Sequence, residues 1–196
     1  MIKKWLTISN LFSGLVLAVV LMLALNHYSK SLVLRGLMDI GFYQPKLTQP
    51  VKNSDPKDLI PNLNFKSSDG RVINLADQKG KVVFIDFWAT WCPYCVAELP
   101  AINDLCLKLK PNPGIVFIMI DVDNNLGKST QFMAKHQYSL PVYTLSGNIP
   151  ANLTDGTTPT TFIVDKRGYI VYRHKGTADY SNPKMLAYLD QLVSAK

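Results

Sequence analysis

Apolar and polar positions fall into three regimes along the chain. From Trp5 to Leu25 there are 21 residues without a charge, and the run Leu15–Leu25 reads LVLAVVLMLAL. A helix rises about 1.5 Å per residue, so ~20 residues cross a ~30 Å hydrocarbon core. The pattern therefore predicts a transmembrane anchor over residues 5–25, with residues 1–4 as a short tail. Lys3 and Lys4 precede it, and Trp5 suits the headgroup level. A cleaved signal peptide would need small residues at its cleavage site, and the exit Leu23-Ala24-Leu25-Asn26-His27-Tyr28 lacks that pair. Lys30 and Arg35 on the far side nearly balance Lys3 and Lys4, so the positive-inside rule prefers an inside N-terminus only weakly.

The second regime, residues 26–57, is a juxtamembrane segment and linker. Within it, residues 30–43 are apolar with scattered charge. They fit a short helix lying on a membrane surface, and equally one packed on the following domain. Residues 44–57, QPKLTQPVKNSDPK, carry three prolines and no apolar period, as expected for an extended linker.

The third regime, residues 58–196, alternates strands and helices. Asn64 to Leu75 reads as a hairpin around Asp69-Gly70. Lys81–Trp88 (KVVFIDFW) and Ile115–Asp121 (IVFIMID) are near-continuous apolar runs, as in strands buried on both faces. A helix is expected from the cysteines near residue 92 to about Lys110, and another over Lys128–Tyr138. Short strands are expected at Pro141–Leu145, Thr160–Asp165 and Tyr169–His174, the last two joined by Lys166-Arg167-Gly168. Asn182-Pro183 supplies a cap and first turn for a closing helix striped by Leu186, Leu189, Leu192 and Val193. This order predicts an α/β domain with a mixed sheet and flanking helices.

Charge and composition narrow the function. Of the formal net charge of +7, residues 1–57 hold +5 and residues 58–196 only +2. The domain surface is nearly balanced, without the clustered positive stripe that phosphate binding requires, which argues against a nucleic-acid role. Three cysteines cannot staple a disulfide scaffold, so the core is built by apolar burial.

The chemistry concentrates at Trp91-Cys92-Pro93-Tyr94-Cys95. Cysteines three apart on a helical turn share one face. They follow a buried strand and open a helix, where unpaired amides and the positive dipole end stabilise a thiolate at Cys92. Cys92 would attack a disulfide and Cys95 would resolve the mixed intermediate. Pro93 fits the first turn, where a missing N–H costs little. A zinc site would need two more ligands at similar spacing, and Cys106 has no nearby histidine. Cys106 reads as an inert buried thiol. His136 and His174 read as surface or edge residues without a role, and the triplet Asn152-Leu153-Thr154 is too short a glycosylation signal to weigh.

The run Phe87-Trp88-Ala89-Thr90-Trp91-Cys92-Pro93-Tyr94-Cys95, with Glu98 and Pro100, resembles the membrane-anchored thioredoxin-like family of the TlpA/ResA type. The lead-in Gly80-Lys81-Val82-Val83 and the later stretch Thr157–Asp165, TTPTTFIVD, resemble it too. The likeness covers about residues 58–196. It implies a thioredoxin-like fold on the extracytoplasmic side of the cell membrane, held by a single pass. It also implies exchange of thiols and disulfides, often reducing disulfide-bonded proteins such as apocytochromes c. A thiol-type membrane electron donor, no cofactor and no metal go with it. Pro159 matches the family's cis-proline, and Trp91, Pro93, Tyr94, Thr158 and Pro159 are the implied substrate contacts. Glu98 matches the family's active-site glutamate. Asp86, six residues before Cys92 in an apolar strand, is a desolvated carboxyl placed to relay a proton to Cys95, or else a strand-end acid paired with a lysine.

Two departures stand out. Many TlpA-type sequences lack an acid at the Asp86 position, and the Pro-Tyr dipeptide resembles glutaredoxin-like centres. The segment between Cys95 and Pro159 is long enough for the extra strand–helix unit of the TlpA-like group. Two rival readings remain. A thiol peroxidase wants a hydroxyl three residues before the reactive cysteine, where Ala89 stands. A copper-delivery module would use Cys92 and Cys95 as soft ligands, without a Met or His cluster to support them.

Overall fold

The computed structural model describes residues 8–47, 58–147, 153 and 155–195. Seven strands form one mixed sheet in the order β2-β1-β5-β4-β3-β6-β7: β1 (Asn64–Ser67), β2 (Val72–Asn74), β3 (Val82–Trp88), β4 (Ile115–Asp121), β5 (Val142–Leu145), β6 (Thr160–Val164) and β7 (Ile170–Lys175). The central strands β3, β4 and β5 run parallel, and β1, β2, β6 and β7 pair antiparallel at the two sides. Strand β3 lies inside the sheet between β4 and β6, and every one of its residues is buried, as its near-continuous apolar run requires. The helices are α1 (Ile8–Leu25), α2 (His27–Asp39), α3 (Pro93–Leu109), α4 (Leu126–Lys135) and α5 (Pro183–Ser194).

Alternation along β3 divides the core. Val83, Ile85 and Phe87 join Phe65, Ile118 and Phe162 on one side of the sheet. Val82, Phe84 and Trp88 join Leu99 and Ile102 of α3 and Met185 and Leu189 of α5 on the other. Asp86 shares the second face by the same period of two. This is the thioredoxin-like α/β arrangement. The segment between α3 and β6 holds β4, α4 and β5, and β5 joins β4 to the hairpin.

Two features differ from the sequence expectation, and a third was left open by it. Helix α4 ends at Lys135, not Tyr138. The chain turns at Gln137 (φ 57°), and Asn103 Oδ1 accepts from Ser139 N at 2.8 Å. Helix α2 begins at His27 and packs on α3, which decides between the two placements left open for residues 30–43. Its Tyr28, Ser31 and Arg35 share a crevice with Val96, Ala97 and Pro100 of α3. His136 is not an idle edge residue. Its ring lies 4.4 Å from Phe132, 5.7 Å from Tyr138 and 6.0 Å from Tyr28, so it fastens α2 to α4.

Helix α1 carries no charged residue, and its 18 residues span about 27 Å. Among the described residues no helix is long and apolar enough to cross a membrane. Residues 5–7 of the expected 5–25 span, most of the 44–57 linker, and Asn152 and Thr154 lie outside the described residues.

Candidate active site

Strand β3 delivers the chain to the site. After Trp88, the Cys92 N–H donates to Ala89 O at 3.3 Å, folding the loop back before α3 begins. Cys92 is the N-cap of α3, with extended backbone and Pro93 following in the first turn. Its Sγ accepts from the Cys95 N–H at 3.1 Å, one of the amides that a helix start leaves without an internal partner. Cys92 and Cys95 are joined as a disulfide with their Cα atoms 5.3 Å apart. Cys95 is fully buried and Cys92 is 3% exposed, so Cys92 is the sulfur nearer to solvent.

Opposite the disulfide lies the turn entering β6. The Thr158–Pro159 peptide is cis, as the motif implied, and Thr158 O lies 3.8 Å from Cys92 Sγ. Trp91 and Tyr94, about half exposed, flank the cysteines with their rings in solvent. Trp91 is anchored, because its Nε1 donates to Asp123 Oδ2 at 2.9 Å. The loop carrying Asp123 is set by buried Asp121, whose two oxygens accept from Asp123 N at 3.1 Å and Asn125 N at 2.8 Å.

Beneath the cysteines lie two buried carboxyls. Asp86 is fully buried, and its Oδ1 accepts from Thr161 Oγ1 at 2.8 Å. Thr161 is also its register partner across β3 and β6. Tyr180, buried in the segment before α5, lies with its hydroxyl 2.6 Å from Thr161 Oγ1. Among the described residues no lysine pairs with Asp86, which removes the strand-end reading. Burial pushes its carboxyl up to about 7, against the opposing pull of the Thr161 hydroxyl. Glu98, also fully buried, accepts at Oε2 from Ala178 N at 3.0 Å, and Thr177 Oγ1 lies 3.4 Å from the same oxygen. Thr177 Oγ1 also donates to Tyr94 O at 3.1 Å, tying the loop after β7 to the first turn of α3. Burial, then the charge of Asp86, holds Glu98 well above the usual carboxylate range.

The expected residues Asp86, Trp91, Cys92, Pro93, Tyr94, Cys95, Glu98, Thr158 and Pro159 thus gather at one end of the sheet. Cys106 lies apart on α3, its thiol pushed up by partial burial. Sequence reasoning missed Thr161, Tyr180, Thr177 and Asp123. Pairing β3 with β6 would have found Thr161. Tyr180 carries no local signal.

Comparison with known proteins agrees with this geometry. Residues 55–189 match the Redoxin family model. Thiol-disulfide oxidoreductase ResA of Bacillus anthracis is 33% identical over 163 residues, covering 83% of this chain and 92% of its own. Thiol:disulfide interchange protein DsbE of Vibrio cholerae is 28% identical over 150 residues, 69% of this chain and 79% of its own. Among solved structures, the exposed lipoprotein thioredoxin of Streptococcus pneumoniae strain TIGR4 superposes with a TM-score of 0.54 at 25% identity. That match covers 67% of this chain and all of the other.

Proposed function

This chain belongs to the redoxin family, among its ResA-type thiol–disulfide oxidoreductases, and on that premise we propose that it reduces disulfides of extracytoplasmic proteins while tethered to the membrane by residues 5–25. The observation that carries the reading is the Cys92–Cys95 disulfide at the start of α3, with Cys92 facing the Thr158 carbonyl.

In the reduced enzyme the Cys92 thiolate, favoured by the helix N-terminus, attacks a substrate sulfur and releases the other as a thiol. Cys95 then gives up its proton and attacks Cys92 Sγ. The enzyme disulfide forms, the mixed disulfide breaks, and the second substrate sulfur leaves and is protonated. Two electrons pass from the dithiol to the substrate, and a thiol-type membrane donor restores them. The buried acids Asp86 and Glu98 assist the proton movement at Cys95. Thr158 and Pro159 present a peptide edge to the substrate, and Trp91 and Tyr94 supply apolar contact beside it. Apocytochromes c are one substrate class that fits. Residues 58–196 form the thioredoxin-like domain, and residues 26–57 join it to the anchor. Helix α1, uncharged and with Leu11, Phe12, Leu15 and Leu17 all exposed, supports the anchor.

The test is the reduction potential of the full chain in detergent, titrated against glutathione with Cys106→Ala to leave one redox couple. A value near about −250 mV or lower is expected for a reductase. A value of about −120 to −180 mV would make the protein an oxidant or isomerase and overturn the reductase reading. Truncating Trp91 to alanine is expected to raise KM for a protein disulfide about tenfold, as loss of a half-exposed aromatic anchor does, with kcat nearly unchanged. Steady-state kinetics on reduced and oxidised substrate protein check it.

A further inference from the structure

Two buried carboxyls beneath one cysteine pair cannot both be charged without cost, because like charges held in a desolvated site raise each other's affinity for a proton. Hydrogen-bond direction around each carboxyl shows how they divide the proton. Thr177 Oγ1 has a single hydrogen and lies 3.1 Å from Tyr94 O, which can only accept. With that hydrogen committed, the 3.4 Å contact from Thr177 Oγ1 to Glu98 Oε2 is satisfied by a proton on Glu98. The Ala178 N–H, 3.0 Å away, takes the remaining lone pair of the same oxygen. At Asp86 the order is the opposite. The Tyr180 hydroxyl meets Thr161 Oγ1 at 2.6 Å, and Thr161 Oγ1 meets Asp86 Oδ1 at 2.8 Å, so a phenol donor at the head of the chain makes Asp86 the acceptor at its end.

We propose that Tyr180, acting through Thr161, is a positioning residue that keeps Asp86 the proton acceptor of the pair and Glu98 its protonated partner. The inference rests on the thiol–disulfide exchange reading and adds to it a division of labour between the two acids. As Cys95 Sγ attacks Cys92 Sγ, its proton goes to Asp86, the S–S bond to substrate breaks, and the departing substrate thiolate is protonated from solvent. Glu98 keeps its proton throughout. Once Asp86 is protonated, the Thr161 hydroxyl can rotate to accept from it, so the chain serves both states.

The surroundings agree. Asp86 points to the face of the sheet whose core holds Cys95. Around it are Thr161 from β6, Tyr180 from the segment before α5 through Thr161, Glu98 from α3, with which it interacts electrostatically, and Tyr172 from β7, which interacts with Tyr180. On β4 its register partner is Met119, and both oxygens of Asp121, two residues on, are occupied by backbone amides. Burial pushes the Tyr180 phenol well above its ordinary value, so it stays a donor across the working range.

Infrared spectroscopy on the oxidised full chain tests this without requiring turnover, so a protein that failed to exchange disulfides would still give a result. At pH 8 the C=O band of a protonated buried carboxyl is expected to vanish in Glu98→Gln and persist in Asp86→Asn. The titration midpoint of the Asp86 band is expected to rise by about one pH unit in Thr161→Val, which removes the hydrogen bond to the anion. It should rise by less in Tyr180→Phe, which keeps the ring, and stay near wild type in Thr161→Ser, which keeps the hydroxyl. A band lost in Asp86→Asn and kept in Glu98→Gln would overturn the assignment, as would an unmoved midpoint in both Thr161→Val and Tyr180→Phe.

Discussion

Replacing Cys95 with serine is expected to stop turnover and leave the protein covalently joined to its substrate. Cys92 retains its place as N-cap of α3, so the first attack proceeds and the mixed disulfide forms. A serine hydroxyl at position 95 is far too weakly acidic to displace the substrate sulfur. Position 95 is fully buried, so no outside thiol can take its place there. The loss in kcat should be at least about a thousandfold, as for other members of a catalytic unit. Cys92→Ser should lose activity as completely but form no adduct. Non-reducing electrophoresis after mixing each reduced variant with an oxidised substrate protein separates the two. An adduct with Cys92→Ser and none with Cys95→Ser would reverse the roles.

Replacing Asp86 with asparagine should stabilise the oxidised protein above neutral pH. Burial raises the folded-state carboxyl to about 7, while an unfolded aspartate titrates near 3.9. Between those values the folded state binds a proton that the unfolded chain has released, so stability falls as pH rises through the window. Above about pH 7 the full cost is present, of the order of 4 kcal/mol at 1.36 kcal/mol per unit. Urea denaturation at pH 4 and pH 8 should therefore show the variant's advantage at pH 8 and little of it at pH 4. An equal advantage at both would mean the gain comes from packing, not from the carboxyl's charge. The same substitution should slow the second step of exchange, because the group that takes the Cys95 proton is gone.

Much of this fold was legible because its central elements are written locally. The near-continuous apolar runs of β3 and β4, with β-branched and aromatic residues, read as strands covered on both faces. The Asn182 cap and Pro183 at the first turn set the start of α5, and Cys92 with Pro93 set that of α3. What the chain hid was tertiary. The burial of Glu98 depends on the loop after β7 folding back over α3, since Thr177 and Ala178 lie about eighty residues away. Tyr180 reaches Thr161 from a segment with no periodicity, so neither residue looked chemical. The end of α4 was missed because the apolar stripe continues through Tyr138, whereas the left-handed turn at Gln137 and the bond that Ser139 N donates to Asn103 Oδ1 show that the helix has stopped.

The docking of α2 on α3 changes how far the redox centre can travel. Residues 44–57 resemble a leash, and fourteen extended residues could reach on the order of 45 Å. Yet α2 precedes them and is already fastened beside the active-site helix through Tyr28 and His136. Only Asn26 separates α1 from α2. On the reading of α1 as the anchor, the domain sweeps a small volume, close to its own radius of about 14 Å. A partner held in the same bilayer is then within reach of the cysteines, and a partner that must be reached across a gap is not.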